Sequence, residues 1–264
     1  WRLTVWPKGR ATAMGKRLVE ADWTLLHTCN FRCDYCFVPP HMLGEKIRVR
    51  ASNETWVEAF DRHDVTWHVH MTGGEPTAYP QFSDLCERLT VNNKISLNSN
   101  LTGKSLDDFA ARVDPANVVF INAGLHHKER TGRGGLNAFI SRARELAGRG
   151  FNLMVSAVMS PEFITLAEAV RHELQQSGIV MVPKILRGSF DGQKWPHAYS
   201  AEQRKTLFHQ LDLAERELER LQDRGGDQMT IDLRMDRRLL GEGEGLIYKV
   251  RDLMSETAAL DKMF

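Results

Sequence analysis

Six short apolar runs, separated by segments of helical periodicity, restrict the fold of this chain more than any other feature of its sequence. Most of the runs are continuous rather than alternating in polarity, as in strands that are buried on both faces of a parallel sheet. The strands are predicted at residues 22–27, 65–71, 95–98, 118–122, 152–159 and 179–186. Strands that alternate with helices predict an α/β fold with a right-handed parallel sheet, either open or curled into a partial (β/α)6 barrel of the TIM type.

Helical patterns fill the intervals, and residues that favour helix ends mark several of their boundaries. Ser52 and Ser105 precede helical stretches, while Gly148 and Gly178 follow them. The helices are predicted at residues 52–62, 80–90, 105–113, 136–148 and 161–176.

The chain changes character after residue 187. Residues 187–199 are rich in turn formers, and residues 200–223 form one long amphipathic helical pattern. A short strand at 229–233 and a final helix are expected beyond it. Because no repeat and no Ser/Pro-rich linker is present, we predict a core at residues 1–188 and a C-terminal helical extension at 189–264 that packs on it.

The charge of the chain is balanced, which argues against some classes of partner. There are 35 Lys and Arg residues and 34 Asp and Glu residues, a net charge of +1. No nucleic-acid partner and no polybasic membrane anchor is therefore expected. No apolar run approaches the ~18 residues that a membrane-spanning helix needs. The sequence begins with Trp1 rather than Met, so we expect a trimmed chain.

Three of the four cysteines are clustered. Cys29, Cys33 and Cys36 follow the first predicted strand, at the carboxyl end where α/β folds place their sites. Four cysteines are too few for a disulfide framework, and the cluster predicts a metal site in a reducing compartment, the cytoplasm. Three thiolates on one loop can hold three irons of a cubane cluster and leave the fourth iron open for a non-protein ligand.

A structural zinc site is the alternative for the same loop. It needs a fourth ligand, either Cys86 or a nearby histidine such as His27 or His41. Cys86 stands alone in a helical stretch, where a free cysteine commonly acts as a small buried apolar residue. No cysteine follows it, so the sequence can supply ligands for one cubane cluster only.

Two motifs together resemble the signature of radical S-adenosylmethionine (SAM) enzymes. The first is the cysteine spacing, with the aromatic Tyr35 directly before Cys36. The second is residues 72–76 (TGGEP), which follow the second predicted strand and are similar to the GGE segment of that family. Glycines permit a close approach of the backbone, and Glu75 can pair with an ammonium group. The resemblance covers residues 22–188.

The resemblance implies a [4Fe–4S] cluster on the three loop cysteines, with SAM as the ligand of the open iron. In that family the GGE segment holds the amino group of SAM, the aromatic residue lies against the adenine, and polar strand ends contact the ribose or carboxylate. Carried onto this sequence, the cofactor-binding residues are Tyr35, Gly73, Gly74, Glu75, Asn98, Asn100, Asn122, Ser156 and Val158. The implied chemistry is reductive cleavage of SAM to a 5′-deoxyadenosyl radical, which abstracts a hydrogen atom from the substrate.

Three residues are candidates for the substrate side of the site. His126 and His127 follow the fourth predicted strand in a segment with Lys128, Arg130 and Arg133, for which a solvated basic loop is the alternative. Lys184 interrupts the apolar run of the sixth strand and is expected to face a polar pocket or to reach the surface, because an isolated buried ammonium is costly.

The class implies a small-molecule or peptide substrate and an electron donor such as flavodoxin or ferredoxin, while the reaction outcome stays open. Two other hypotheses also stay open. One is a zinc- or iron–sulfur-binding regulatory module without catalysis, and the other is a cluster-bearing scaffold that does not cleave SAM.

Overall fold

A computed structural model describes residues 3–11, 16–130, 135–219, 236–237 and 239–240 of the chain. Its main element is a seven-stranded sheet in which the strands neighbour one another in chain order. They are β1 (Leu3–Ala11), β2 (Arg17–Leu26), β3 (Val65–Gly73), β4 (Lys94–Ser99), β5 (Val118–Gly124), β6 (Leu153–Val158) and β7 (Met181–Lys184). β1 pairs with β2 in the antiparallel direction, whereas the pairs from β2 to β6 are parallel. The fold is α/β, as predicted, and β1 and β7 end the order of the described sheet.

Helices connect and follow the strands. Those of the described residues are α1 (Pro40–Leu43), α2 (Asn53–Asp61), α3 (Phe82–Leu89), α4 (Ser105–Arg112), α5 (His127–Arg130), α6 (Gly135–Gly148), α7 (Pro161–Ile164), α8 (Ala167–Gln176) and α9 (Ala201–Glu219). Short 3-10 turns lie at Pro76–Ala78 and Pro115–Asn117. A small antiparallel hairpin consists of β8 (Gly188–Phe190) and β9 (Gln193–Trp195).

The six predicted strands are present as β2 to β7, and the largest shift concerns the start of β2. It begins at Arg17, and its first half alternates between more and less buried residues. Such alternation leaves no continuous apolar run in the first half of β2. β1 was not predicted, because its sequence contains Pro7 and Gly9 and its pairing with β2 shifts register after Pro7. Proline is tolerated in this position because edge strands and irregularities do not need every backbone N–H.

The helix predicted at 161–176 is two helices. Ser160 accepts a hydrogen bond from the Phe163 N–H and begins α7 as expected. The chain leaves the helix at Thr165 and Leu166, where the Leu166 N–H donates to the Phe163 carbonyl (2.9 Å) in the tighter i to i+3 pattern. The apolar spacing continues through this break, so a pattern search finds one helix.

The C-terminal prediction is confirmed in part. The long helix is present as α9, while residues 220–223, the strand at 229–233 and the final helix lie outside the described residues. The turn-rich segment 187–199 contains the hairpin of β8 and β9, which was missed because each strand has three residues.

The chain divides into two compact units, Trp1–Ala157 with Glu173–Met181, and Val158–His172 with Val182–Phe264. In the first unit, Leu97 and Ile121 of the sheet and Phe109 of α4 are completely buried. In the second, Leu207, Leu211 and Ala214 form the buried stripe of α9. The division at residue 188 stays a prediction. No helix in the described part of the chain is long and apolar enough to cross a membrane.

Candidate cofactor site

The candidate site lies in the first unit, at the carboxyl ends of β2 to β5. Because these strands are parallel, the segments that follow them meet at one edge of the sheet. The cysteine loop follows β2, the glycine–glutamate turn follows β3, Asn100 follows β4, and His126 follows β5. The fold thus collects residues that lie up to about a hundred positions apart in the sequence.

The cysteine loop is held by its backbone and by one buried ring. The Cys29 N–H donates to the Leu43 carbonyl (3.1 Å) and ties the loop to α1, while the Cys36 N–H donates to the Cys33 carbonyl (3.0 Å) and closes a turn. Phe31 is 2% exposed and anchors the loop in the core. The three cysteine side chains are half-buried and free of disulfides.

The electrostatics of the loop favour protonated thiols in the metal-free chain. Burial raises the pKa of Cys29, and it raises the pKa of Cys33 to about 12. The neighbouring cysteines add to the increase, because the charge of each opposes ionisation of the others. A bound cationic centre reverses this balance, since it stabilises thiolates and displaces their protons.

In the metal-free chain, the loop does not hold its cysteines at the spacing of the ligands of a single zinc ion. Ligands of one zinc ion stand ~2.0–2.3 Å from the metal, and therefore within ~4 Å of one another. Among the described residues, no set of three such ligand atoms that includes a loop cysteine lies within 4.8 Å. Cys86 is fully buried in α3, with its Sγ 3.9 Å from the Sδ of Met71. A cubane spreads its thiolates over separate irons, so three cysteines on one loop fit that group better.

The glycine pair at the end of β3 packs closely against the start of the cysteine loop. A Cβ on Gly73 would lie 2.1 Å from the Leu26 carbonyl oxygen, and a Cβ on Gly74 would lie 2.3 Å from the Thr28 carbonyl oxygen. The Gly74 N–H donates to Leu26 (2.8 Å), and the Glu75 N–H donates to Thr28 (2.9 Å). Residues 73 and 74 must therefore be glycines for the turn after β3 to approach the cysteine loop this closely, whether or not the glycines also contact a ligand.

Glu75 is 3% exposed, and donors from two turns hold its carboxylate. Oε1 accepts hydrogen bonds from the Thr77 hydroxyl (2.6 Å), the Thr77 N–H (3.2 Å) and the Ser99 hydroxyl (2.7 Å). Oε2 accepts one from the Asn100 N–H (2.7 Å). These bonds fix a buried negative charge beside the cysteine loop before any ligand arrives.

Asn100 joins the turn after β4 to the cysteine loop. Its Nδ2 donates to Asn30 Oδ1 (2.9 Å), and its Oδ1 accepts from the Thr102 N–H (3.0 Å). Asn30 Nδ2 donates in turn to Thr102 Oγ1 (2.8 Å). The side chain of Asn100 is thus used within the protein, and its direct contact with SAM stays a prediction.

Asn98 and Asn122 are register partners on β4 and β5. Asn122 Nδ2 donates to Asn98 Oδ1 (2.8 Å). Asn122 Oδ1 is buried and has no hydrogen-bond partner within the part of the chain that the structure describes. A buried acceptor without a donor costs about 1–3 kcal/mol, so this atom fits a ligand donor such as a ribose hydroxyl. Ser156, on β6, is half-buried and pairs in register with Gly124.

His126 packs against the cysteine loop. Its Nδ1 lies 3.3 Å from the Cys33 Sγ and 3.3 Å from the Tyr35 hydroxyl, and its ring stacks on that of Tyr35 at an interplanar angle of 14°. Burial and the charge of Arg130 lower the pKa of His126 to about 4, so the imidazole is neutral at pH 7. The sequence suggested a substrate-side role, whereas the structure places His126 beside a cysteine and the adenine candidate Tyr35.

Helix α5 is fastened to the same loop. The Arg32 N–H donates to Glu129 Oε2 (3.1 Å), and Lys128 forms an exposed ion pair with Asp34. His127, the other histidine candidate, is half-buried at the start of α5. The solvated-loop alternative describes Lys128 correctly, while Arg133 lies outside the described residues.

For Arg130 the solvated-loop alternative is wrong. The side chain is buried, and it donates to the carbonyls of Gly124 (3.0 Å) and Asn100 (2.5 Å). Its guanidinium lies 4.0 Å from the ring centroid of Phe139, and burial lowers its pKa to about 10. Arg130 therefore braces the strand ends at the site, a role that local sequence does not reveal because its partners come from three separate segments.

Val158 and Lys184 belong to the second unit. Val158 ends β6 and is half-buried. Lys184, on β7, acts electrostatically on the buried carboxylate of Asp236, which also forms an ion pair with Arg187. Burial raises the pKa of Asp236, and the two cations partly offset that rise. The substrate-side role of Lys184 stays a prediction.

The chain is similar in sequence and in fold to known proteins. The family model of the radical SAM superfamily matches residues 23–162. A probable GTP 3′,8-cyclase of Metallosphaera sedula is 27% identical over 147 residues, which cover 52% of this chain and 45% of the relative. The PqqA peptide cyclase of Methylorubrum extorquens is 27% identical over 112 residues, 42% of this chain and 27% of the relative. The matches thus span less than half of either relative.

Solved structures with a similar fold include SuiB and anSMEcpe. Streptococcus suis SuiB bound to the precursor peptide SuiA has a TM-score of 0.53 and 15% identity, over 78% of this chain and 46% of SuiB. The protein anSMEcpe with bound AdoMet (SAM) has a TM-score of 0.53 and 16% identity, over 78% of this chain and 61% of anSMEcpe. At such identities the likeness concerns the fold alone.

Proposed function

The chain belongs to the radical SAM superfamily, whose enzymes use a [4Fe–4S] cluster and SAM, and we propose that it holds one such cluster on Cys29, Cys33 and Cys36. When bound and reduced, the cluster supplies the electron that splits SAM into methionine and a 5′-deoxyadenosyl radical, which abstracts a hydrogen atom from the substrate. The strongest support for this proposal is the direct hydrogen bonding between the two motifs at the edge of the sheet. The N–H groups of Gly74 and Glu75 donate to the backbone carbonyls of the residues that lead into the cysteine loop.

In this proposal the cysteines act as thiolates. They must lose protons that burial holds on Cys29 and Cys33, so assembly of the cluster releases protons and is favoured as pH rises. Phe31, which is buried in the core, keeps the loop in place.

Glu75 pairs with the ammonium group of SAM. Its charge is held by Thr77, Ser99 and Asn100, so it needs no reorganisation when a cation arrives. The neutral amides are assigned to the uncharged parts of SAM, with Asn122 Oδ1 accepting from a ribose hydroxyl. Tyr35, Asn98, Ser156 and Val158 are the further candidates, toward the adenine or the ribose.

The substrate is proposed to be a peptide or a small molecule with an accessible C–H bond. The names of the relatives support both classes, since one is a nucleotide cyclase and another a peptide cyclase. Electrons are proposed to come from a flavodoxin or ferredoxin in the cytoplasm. The sequence contains four cysteines, and three of them are assigned to the cluster. Because a second cubane would need three or four more thiolates, we expect one cluster in this chain.

The experiment is anaerobic reconstitution with iron and sulfide, followed by reduction in the presence of SAM and chromatography of 5′-deoxyadenosine. We expect a brown chain with about four irons per cluster that releases 5′-deoxyadenosine. Cys33→Ala should lose both properties, while the matched Cys86→Ala should keep both, because Cys86 is buried against Met71 in α3.

Three results would contradict the proposal in different ways. A colourless zinc protein would support the regulatory module, and a brown protein that binds SAM without releasing 5′-deoxyadenosine would support the inactive scaffold. A normal cluster in Cys33→Ala would show that the ligands are assigned wrongly.

A further inference from the structure

A second group of metal-binding side chains lies outside the cysteine loop. It consists of Glu20 on β2 and His68 and His70 on β3, and one ligand atom from each lies within 4.8 Å of the other two. Glu20 is the register partner of His68, and His70 follows two residues later on β3. Because side chains alternate along a strand, all three project from the same face of the sheet.

This face is opposite the one that α3 covers. Met71, of the other parity on β3, is fully buried and contacts Cys86 of α3. Ser96 is the register partner of His70, and Asn98 follows it by two residues on β4. The three side chains therefore lie on the face of the proposed SAM amides. Two residues of a strand span ~7 Å, so His70 is one such step further from the strand ends than Asn98, and Glu20 and His68 are two such steps further.

The local geometry suits a metal ion. His70 Nε2 is 3.8 Å from Glu20 Oε2, and the ring centroids of His68 and His70 are 4.1 Å apart. His68 Nε2 lies 2.6 Å from the Ser96 hydroxyl, a contact that fixes the orientation of the ring. Ligand histidines usually have such an orienting partner on the second ring nitrogen. His68 is 7% exposed, so little water competes with a ligand there.

We propose that Glu20, His68 and His70 bind a divalent first-row transition ion such as Zn²⁺, independently of the cysteine loop. Two neutral imidazoles and one carboxylate offer a net charge of −1, and this donor set is one that zinc and non-haem iron use. Three protein ligands leave at least one coordination position for a water or for an oxygen of a bound molecule.

The test uses Co²⁺ and Zn²⁺ as probes of the full chain with Cys29→Ser, Cys33→Ser and Cys36→Ser, so that the loop thiols cannot bind them. We expect one equivalent of Co²⁺ to give visible absorption, and one equivalent of Zn²⁺ to remove it. His68→Asn, His70→Asn and Glu20→Gln should each weaken binding at least tenfold. Ser96→Ala should weaken it roughly tenfold as well, because the ring loses its orienting partner.

The matched control is His41→Asn, which removes an exposed histidine outside the group and should leave the titration unchanged. Absence of stoichiometric binding, or equal binding by His70→Asn, overturns the proposal and leaves a His70–Glu20 ion pair as the role of these residues. If the chain with the three loop cysteines replaced does not fold, cluster-loaded wild type and His70→Asn are dialysed against Zn²⁺ and analysed for metal. Zinc in addition to cluster iron is then expected in the wild type only, and equal zinc in both chains overturns the proposal. Neither version depends on cleavage of SAM.

Discussion

Replacing Glu75 by Gln changes the charge of the proposed ammonium partner while keeping its shape. The carboxylate accepts four hydrogen bonds, three on Oε1 from Thr77 and Ser99 and one on Oε2 from the Asn100 N–H. A glutamine can keep its oxygen toward Thr77 and Ser99, and its NH2 group then faces the Asn100 N–H. A buried donor without an acceptor costs about 1–3 kcal/mol, so the free energy of unfolding should fall by that amount.

The effect on SAM affinity is separate. Loss of a hydrogen bond to a charged partner costs about 1.5–3 kcal/mol, so Glu75→Gln should bind SAM roughly ten- to a hundredfold more weakly. Thr77→Val is the matched variant: it removes one hydroxyl donor to Oε1 but leaves the charge and the Asn100 bond in place. It should destabilise the fold by a similar about 1–3 kcal/mol and change SAM affinity less than about threefold.

The assay is calorimetric titration of SAM into the cluster-loaded chain, with denaturant unfolding of the same samples. The reasoning requires that the two variants lose comparable stability and differ in affinity. Equal SAM affinity in Glu75→Gln and Thr77→Val would refute it, because the carboxylate would then act only as an internal support for the turns.

Three further predictions concern Gly74, His126 and Cys86. Gly74→Ala should lower the free energy of unfolding, measured by urea titration, by about 1–3 kcal/mol, because the added Cβ would lie 2.3 Å from the Thr28 carbonyl oxygen. The control Gly148→Ala places its Cβ in open space and should change the free energy of unfolding by less than about 1 kcal/mol. His126 has a pKa of about 4 in the folded chain, below its ordinary 6.5, so the unfolded chain binds the proton first and unfolding free energy should fall as pH drops from 6.5 to 4. His126→Asn, which tolerates the left-handed φ of 44°, should flatten that slope in the metal-free chain, and an unchanged slope would disprove the assignment. Cys86→Ala should lower the thermal stability through about 1 kcal/mol of lost packing, with no change in iron content.

Local patterns in the sequence determined most of the fold. Continuous apolar runs identify β2 to β7 because strands of a parallel sheet are buried on both faces, so no tertiary information is needed to find them. β1 escaped because an edge strand tolerates Pro7 and a shifted register, and such a strand carries no continuous apolar run. The break between α7 and α8 escaped because apolar spacing records which face is buried and not whether the backbone bonds continue.

The features of the candidate site also fall into two groups, those found from local sequence and those that only the tertiary structure reveals. The spacing of Cys29, Cys33 and Cys36 and the residues from Gly73 to Glu75 are local, so the sequence by itself indicated the cluster, the SAM segment and the superfamily. The tertiary structure decided how these parts are joined, because burial and hydrogen bonding depend on segments far apart in the chain. Only the folded chain brings the Ser99 hydroxyl and the Asn100 N–H to the Glu75 carboxylate. Only the folded chain buries Arg130 against backbone carbonyls, although the local sequence around Arg130 is basic and resembles a surface loop. The pairing of β2 with β3 places Glu20 beside two histidines that lie about fifty positions later in the sequence.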